Sequence, residues 1–141
     1  YRIIPKAIDF FYRKKVIPLH GGGSSIRSFI HIDDVCDASY KAIKKGVSGS
    51  IYHISSDYYI SIKNLLKQIS TIMNVDYKKY VKSASDRKGK DGFYKLKSNK
   101  IKKLGWKTKV NLKTGIKRVI SWYKINQKNF KDKDFIYVHK K

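Results

Sequence analysis

Apolar positions along the chain change their spacing several times, and each change marks an element. In IPKAIDFFYRK, residues 4–14, Ile4, Ala7, Ile8 and Phe11 recur at helical intervals, with Pro5 tolerated in a first turn. Pro18 and the glycines at 21–23 interrupt the chain, and SFIHI, 28–32, then alternates with the period of a strand. Asp33 or Asp34 is placed to cap a helix that buries Val35, Ala38, Ala42 and Ile43 and stops at Gly46. SIYHIS, 50–55, is β-branched and aromatic and predicts a strand. Ser61 caps a helix whose Ile62, Leu65, Leu66, Ile69, Ile72 and Met73 form an apolar stripe, an aliphatic pattern that reads as core. YKKYV, 77–81, predicts a short strand, and the polar loop SASDRKGKDG comes after it. FYKLK, 93–97, predicts a last strand, and SNKIKKLG a short helix ending at Gly105. Asn111 caps a final helix with Leu112, Ile116, Val119, Ile120 and Tyr123 on one face. Residues after about 126 are mostly charged and predict a fraying tail, 126–141.

Strands separated by helices predict an α/β unit with no internal repeat and no dividing linker. The 141 residues, 41% hydrophobic and 13% aromatic, suffice for one modest core. No run approaches the roughly 18 apolar residues of a membrane span, so no membrane partner is expected. Cys36 is the only cysteine, which excludes an internal disulfide and suits a reducing, cytoplasmic setting. The first residue is Tyr1, and the sequence reads as a piece of a longer chain.

A net charge of +23 raises a second possibility, a small basic nucleic-acid-binding module. The lysines are spread over nearly every segment, however, and arginine occurs only at 2, 13, 27, 87 and 118. No basic stripe alternates with aromatic residues, as a stacking platform requires. A lysine-rich solvent surface therefore explains the charge better than a polyanion site, and no nucleic-acid partner is expected.

The order of blocks carries a resemblance. IIPKAI, KKVIPLHGGGSSIRSFIHIDDV, the G-x-x-Y-x-I-S-like strand, SDRKGKD and SNKIKKLGWKTKVNLKTGI with SWY after it are similar to the C-terminal half of extended short-chain dehydrogenase/reductases. These are the NAD-dependent sugar-nucleotide epimerases and dehydratases, and the likeness runs from about residue 2 to about residue 124. It implies that 1–125 form a C-terminal substrate-binding lobe lacking most of the Rossmann domain. It further implies an enzyme that uses NAD or NADP, held mainly by an N-terminal half, on a nucleoside-diphosphate sugar, with a homodimer possible for the full-length protein.

Site residues are implied by that resemblance position by position. Arg27 matches the family's strand-entry arginine at the substrate diphosphate, a task that suits the planar guanidinium fork; the simpler reading is a surface ion pair with Asp33 or Asp34. Pro18, Leu19 and His20 match a Pro-x-Tyr-like segment against the base, with His20 in place of the phenol. Arg2 and Ile3 resemble a Lys-Leu pair that touches the nucleotide. His53 stands where many relatives have Asn, or else bonds at the core edge. In SDRKGKD the resemblance assigns phosphate binding to Arg87, with Asp86, Lys88, Gly89, Lys90 and Asp91 around the ligand. Trp106 and Trp122 read as packing residues.

No catalytic residue is assigned. Glycines 21–23 lack the Gly-x-x-Gly-x-x-Gly spacing of a dinucleotide turn and precede a strand instead of a helix. Tyr40 and Lys44 have Tyr-x-x-x-Lys spacing, but they come after the arginine-bearing strand, whereas the family's catalytic pair precedes the segment that opens this sequence. In a lysine-rich chain with 11 tyrosines that spacing arises by chance. The isolated chain is accordingly expected not to turn over substrate.

Overall fold

The computed structural model describes residues 2–86, 89 and 91–130. In chain order the helix α1 (Ile3–Tyr12), strand β1 (Ile17–His20), a 3-10 turn (Gly21–Gly23) and β2 (Ile26–Ser28) lead into α2 (Ile32–Lys45). After a long irregular stretch come β3 (Tyr59–Ser61), α3 (Ile62–Met73), α4 (Tyr77–Tyr80) and β4 (Val81–Ala84). The described residues end with α5 (Asn99–Lys102), α6 (Leu112–Asn126) and a 3-10 turn (Gln127–Phe130). β1 pairs parallel with β4, Leu19 opposite Ser83, and β2 pairs antiparallel with β3, Arg27 opposite Ile60. This is the expected α/β class, with strands that serve mainly to present loops.

Helices supply most of the core. Ala7, Ile8 and Phe11 of α1, Leu65, Leu66 and Ile69 of α3, and Ile116, Ile120 and Tyr123 of α6 pack with Ile17, Leu19, Ile60 and Val81 from the strands. The predicted stripes of α3 and α6 thus hold, and both predicted caps form: Ser61 Oγ accepts from Asn64 N at 3.2 Å and Asn111 Oδ1 from Thr114 N at 2.9 Å. Beneath this apolar layer lies a polar link that the periodicity does not reveal. Asp9 is 1% exposed, and its carboxylate accepts from Tyr123 Oη at 2.5 Å and from Arg13 Nε at 2.8 Å. A buried carboxylate needs such donors, because leaving it unpaired would cost several kcal/mol, on the order of 3–5. Burial first, and then the bond to Asp9, push the Tyr123 phenol above its ordinary value.

A second, smaller cluster joins Ala38 of α2, Ile101 of α5 and Trp106. Asp34, 1% exposed, fastens it: its Oδ1 accepts from Lys109 N at 3.0 Å, its Oδ2 from Val110 N at 3.1 Å, and its carbonyl from Trp106 Nε1 at 2.9 Å. Trp106 is therefore the packing residue expected of it.

Several expectations need correction. Neither aspartate caps α2; His31 is the N-cap, its Nδ1 accepting from Asp33 N at 3.2 Å, which releases Asp34 for the link to the 106–110 segment. Ile43 is 81% exposed, since five positions beyond Ala38 lie about 140° round a helix. With Ile32, Cys36, Tyr40 and Val47 it makes an exposed, largely apolar stripe on the outer face of α2. Trp122 is half exposed for the same reason, pointing away from Ile120 and meeting the edge of Phe130. The strand expected over 28–32 is β2 at 26–28, and 50–55 forms no ladder among the described residues, although its composition suits one. Residues 77–80 are helical because Asp76 caps them, accepting from Lys78 N at 2.8 Å, and the strand begins only at Val81. FYKLK contributes a single bridge, Phe93 beside Ile26. Residues 127–130 turn back so that Arg13 donates to the Phe130 carbonyl, and 131–141 lie outside the described residues.

Candidate functional site

The parallel pairing of β1 with β4 brings the two strands to a common end, and each strand runs directly into a loop there. β1 leads into the glycine turn, and β4 leads into the 85–91 loop. His20 Nδ1 lies 2.7 Å from the Ser85 carbonyl and ties the near flank of that loop to β1. Its far flank is tied to β2: Arg27 Nη2 donates to the Asp91 carbonyl at 2.7 Å, Ile26 N to Gly92 O at 2.9 Å, and Tyr94 N to Ile26 O at 3.4 Å. Arg27 therefore stands on a strand held at both edges, by β3 on one side and by residues 92–94 on the other.

Below Arg27 a serine cluster fixes the strand. Ser28 Oγ donates to Ser56 O at 2.9 Å and lies 2.8 Å from Ser56 Oγ, while Ser55 Oγ donates to Ser28 Oγ at 3.2 Å. Ser98 Oγ donates to Ser55 O at 2.8 Å, so the lead-in to α5 joins the same cluster. Each hydroxyl donates once and still accepts, which lets a chain of serines pair itself without burying an orphan group. Ser28, Ser55, Ser56 and Ser98 carry no motif, and this cluster is not legible from spacing.

The expected site residues separate into groups. Arg27 does not pair with Asp33 or Asp34; it donates to Ile26 O at 2.8 Å and to Asp91 O, while Asp33 is taken by Arg118 at 2.8 Å and Asp34 by backbone amides. The simple ion-pair reading thus gives way to a guanidinium held in place by carbonyls, with further N–H groups to spare. Pairwise contacts tie the others to the two loops: His20 meets the Ser85 carbonyl, Asp86 meets Gly21, and Arg27 meets the Asp91 carbonyl. Gly89 is exposed at φ +72°, and Arg87, Lys88 and Lys90 lie outside the described residues. Pro18 is exposed beside His20, whereas Leu19 turns its side chain into the core, as alternation along a strand requires. Arg2 is the N-cap of α1 by its backbone, with its side chain exposed and making no cap bond, and Ile3 packs on the core. His53 is exposed and not at the core edge, which corrects the simpler reading of it as a bonded core-edge residue.

The glycine turn does not fit a dinucleotide. All three glycines have left-handed φ, +56°, +61° and +68°, and a strand, not a helix, comes next. A Cβ on Gly23 would stand 2.5 Å from Leu19 Cδ1 and 2.8 Å from Lys63 N, so that glycine is spent on packing. The helix N-terminus that packs against the turn is that of α3, through Lys63 N at Gly23, and not a helix that follows the turn in sequence as a dinucleotide fingerprint requires.

A NAD dependent epimerase/dehydratase family model matches residues 1–55. The human dTDP-D-glucose 4,6-dehydratase is 35% identical over 136 residues, 93% of this chain and 39% of the relative. The chain is thus similar to the NAD-dependent epimerase/dehydratase family. A trifunctional UDP-glucose 4,6-dehydratase/UDP-4-keto-6-deoxy-D-glucose 3,5-epimerase/UDP-4-keto-L-rhamnose-reductase of Arabidopsis thaliana is 33% identical over 89% of this chain and 19% of its own length. Among solved structures, a dTDP-glucose 4,6-dehydratase from Streptomyces venezuelae with NAD bound superposes with a TM-score of 0.84 at 29% identity, over 90% of this chain and 39% of that one. A UDP-glucose 4-epimerase from Thermotoga maritima shares the fold, with a TM-score of 0.83 at 24% identity, over 89% of this chain and 40% of that one. The chain thus spans about two fifths of the human and Streptomyces relatives. None of these relatives is a nucleic-acid-binding module, and no described helix is long and apolar enough to cross a membrane.

Proposed function

We propose that this chain is the substrate-binding lobe of a nucleoside-diphosphate-sugar 4,6-dehydratase, or of a closely related epimerase, and that Arg27 grips the substrate diphosphate. The observation that carries this reading is the placement of Arg27, on a strand anchored along both edges and with its guanidinium steered by the carbonyls of Ile26 and Asp91. A phosphate-binding cation works best when its geometry is set beforehand, because less side-chain entropy is lost on binding. His20 and Arg27 bond the two flanks of the 85–91 loop, and that loop would supply a second set of charges through Arg87, Lys88 and Lys90.

NAD, or NADP, would serve as hydride acceptor and donor, and its site belongs to the remainder of the enzyme, a reading supported by the strand that follows the glycine turn and by Gly21 and Gly23 facing the chain's own groups. The exposed stripe Ile32, Cys36, Tyr40, Ile43 and Val47 supports a lobe that is covered in the complete enzyme, for it gathers apolar side chains on a surface otherwise rich in lysine. The work is expected in the cytoplasm, in a homodimer. In this division of labour the lobe binds and orients the sugar nucleotide and does not itself move a hydride.

Calorimetric titration with dTDP and UDP tests the assignment. The chain should bind one of them without turning over dTDP- or UDP-glucose, and Arg27→Ala should weaken binding about tenfold to a hundredfold, the worth of one charge-assisted phosphate contact. Turnover by the chain alone, or equal affinity for wild type and variant, contradicts the reading.

A further inference from the structure

The contact between Gly21 and Asp86 links the two loops directly. A Cβ added at Gly21 would stand 2.5 Å from Asp86 Oδ1 and closer still to Cγ, an overlap relieved when the exposed Asp86 carboxylate swings off the turn. The carboxylate of the 85–91 loop therefore rests against the bare Cα of the glycine turn. Gly22, next along the same turn and with a nearly identical φ of +61°, has nothing within 4 Å of such a Cβ. Of these two glycines, only Gly21 is required by a close approach as well as by its backbone angle.

We propose that Gly21 is a positioning residue for the phosphate-binding loop: its missing side chain lets Asp86 seat on the turn, and this seat sets the loop against Arg27. The proposal rests on the substrate-binding reading above. Three attachments then hold the flanks of the loop. Ser85 is held through its carbonyl to His20, Asp86 by contact with Gly21, and Asp91 through its carbonyl to Arg27. Two of them belong to consecutive residues of each partner, His20 with Gly21 and Ser85 with Asp86, so the seat of the carboxylate adjoins the His20–Ser85 bond. Because the Asp91 carbonyl orients the guanidinium, a shift of the loop reaches Arg27 without touching it. The turn thus serves anion binding indirectly, by seating a carboxylate of its own chain.

The test compares Gly21→Ala with Gly22→Ala, which imposes a similar left-handed backbone penalty without the overlap. Two readouts are taken on each: affinity for dTDP and UDP, and amide exchange of Ile26 and Tyr94, which bond across to residues 92 and 26. Gly21→Ala should weaken nucleotide binding about tenfold and speed exchange at Ile26 and Tyr94 by at least as much, with Leu65 and Leu66 unchanged. Gly22→Ala should leave both within about threefold of wild type after correction for any fall in global stability. In an Asp86→Ala background, Gly21→Ala should have a much reduced further effect on exchange, the non-additivity expected of residues in contact. Equal effects of the two glycine variants, or full additivity with Asp86→Ala, overturn the proposal. Should the wild-type chain bind neither nucleotide, the substrate reading fails while exchange still decides whether Gly21 positions the loop.

Discussion

The two hydrophobic clusters are built on different principles. The larger one closes on itself: α1, α3, α6 and strand residues surround Leu65, Leu66 and Ile69, and each of these is fully buried. The smaller one has three buried members, of which Trp106 is by far the largest, and it depends on Asp34 to tie α2 to the 106–110 segment. One is held by interlocking side chains and the other by a polar anchor beside a single indole. α2 consequently faces inward on the smaller cluster and outward with an apolar stripe, so much of its burial potential is unused. The residues proposed to hold the substrate lie between these regions, with β1 rooted in the larger cluster and the serine cluster of β2 joined to the smaller through Ser98.

Removing the indole tests the contrast most severely. Trp106→Ala should cost about 3–5 kcal/mol, the usual range for truncating a buried aromatic, and it also frees the Asp34 carbonyl. The loss is expected to be local: amide exchange should accelerate throughout α2 and α5 while Leu65, Leu66 and Ile69 keep the protection of the global fold. A uniform loss of protection, with one urea transition shifted as a whole, would mean that both clusters form a single cooperative unit.

How much of this arrangement is legible in the sequence depends on the range of the interactions. The stripes of α3 and α6 and the caps Ser61 and Asn111 are set within one or two turns of chain, and spacing reveals them. Where the deciding partner is distant, spacing misleads. SIYHIS has the composition of a strand, but a ladder needs a second edge and none reaches it among the described residues. Asp34 has the look of a cap, yet Lys109 and Val110 claim its carboxylate from 75 and 76 positions away. At the proposed site, the resemblance points to Arg27, but neither it nor the spacing predicts that the Asp91 carbonyl steers the guanidinium or that Gly21 receives Asp86. Those are backbone and close-approach effects, which residue identity records only as a glycine.

Asp34 offers a sharper cut. Asp34→Ala leaves the Lys109 and Val110 amides without their acceptors in a half-buried place, at about 1–3 kcal/mol for each amide that water cannot reach, whereas Asp34→Asn keeps one acceptor oxygen and should cost roughly half as much. Urea denaturation of both variants reads this directly. Were the two equal, the charge of the carboxylate, and not the number of acceptors, would be what fastens the smaller cluster.

In the larger cluster the comparable polar link is Tyr123 with Asp9. Tyr123→Phe keeps the ring packing and removes one hydrogen bond to a carboxylate that Arg13 still holds, for a loss of about 1.5–3 kcal/mol. The link also has a pH signature. Burial and the bond to Asp9 raise the folded phenol above its ordinary value near 10, so above that pH the folded chain binds more protons than the unfolded one. The contribution is therefore complete below about pH 10 and is lost as pH rises through the folded value. Thermal melts between about pH 8 and 11 should show wild type falling towards Tyr123→Phe at the alkaline end, a convergence absent if neither burial nor the bond to Asp9 raises the folded phenol.

The smallest effect belongs to a cap. Asn111→Ala removes the acceptor for Thr114 N at the start of α6 and should cost about 1 kcal/mol, while Asn111→Asp preserves the bond and adds a negative charge at a helix N-terminus, which favours it slightly. Because α6 belongs to the larger cluster by Ile116, Ile120 and Tyr123, this loss should appear as a small shift of the global urea midpoint with exchange in α2 changing in proportion. A change confined to the residues of α2 would instead show that the 106–111 segment, anchored by Asp34, couples the helix start to the smaller cluster more tightly than to the core that the helix itself helps to build.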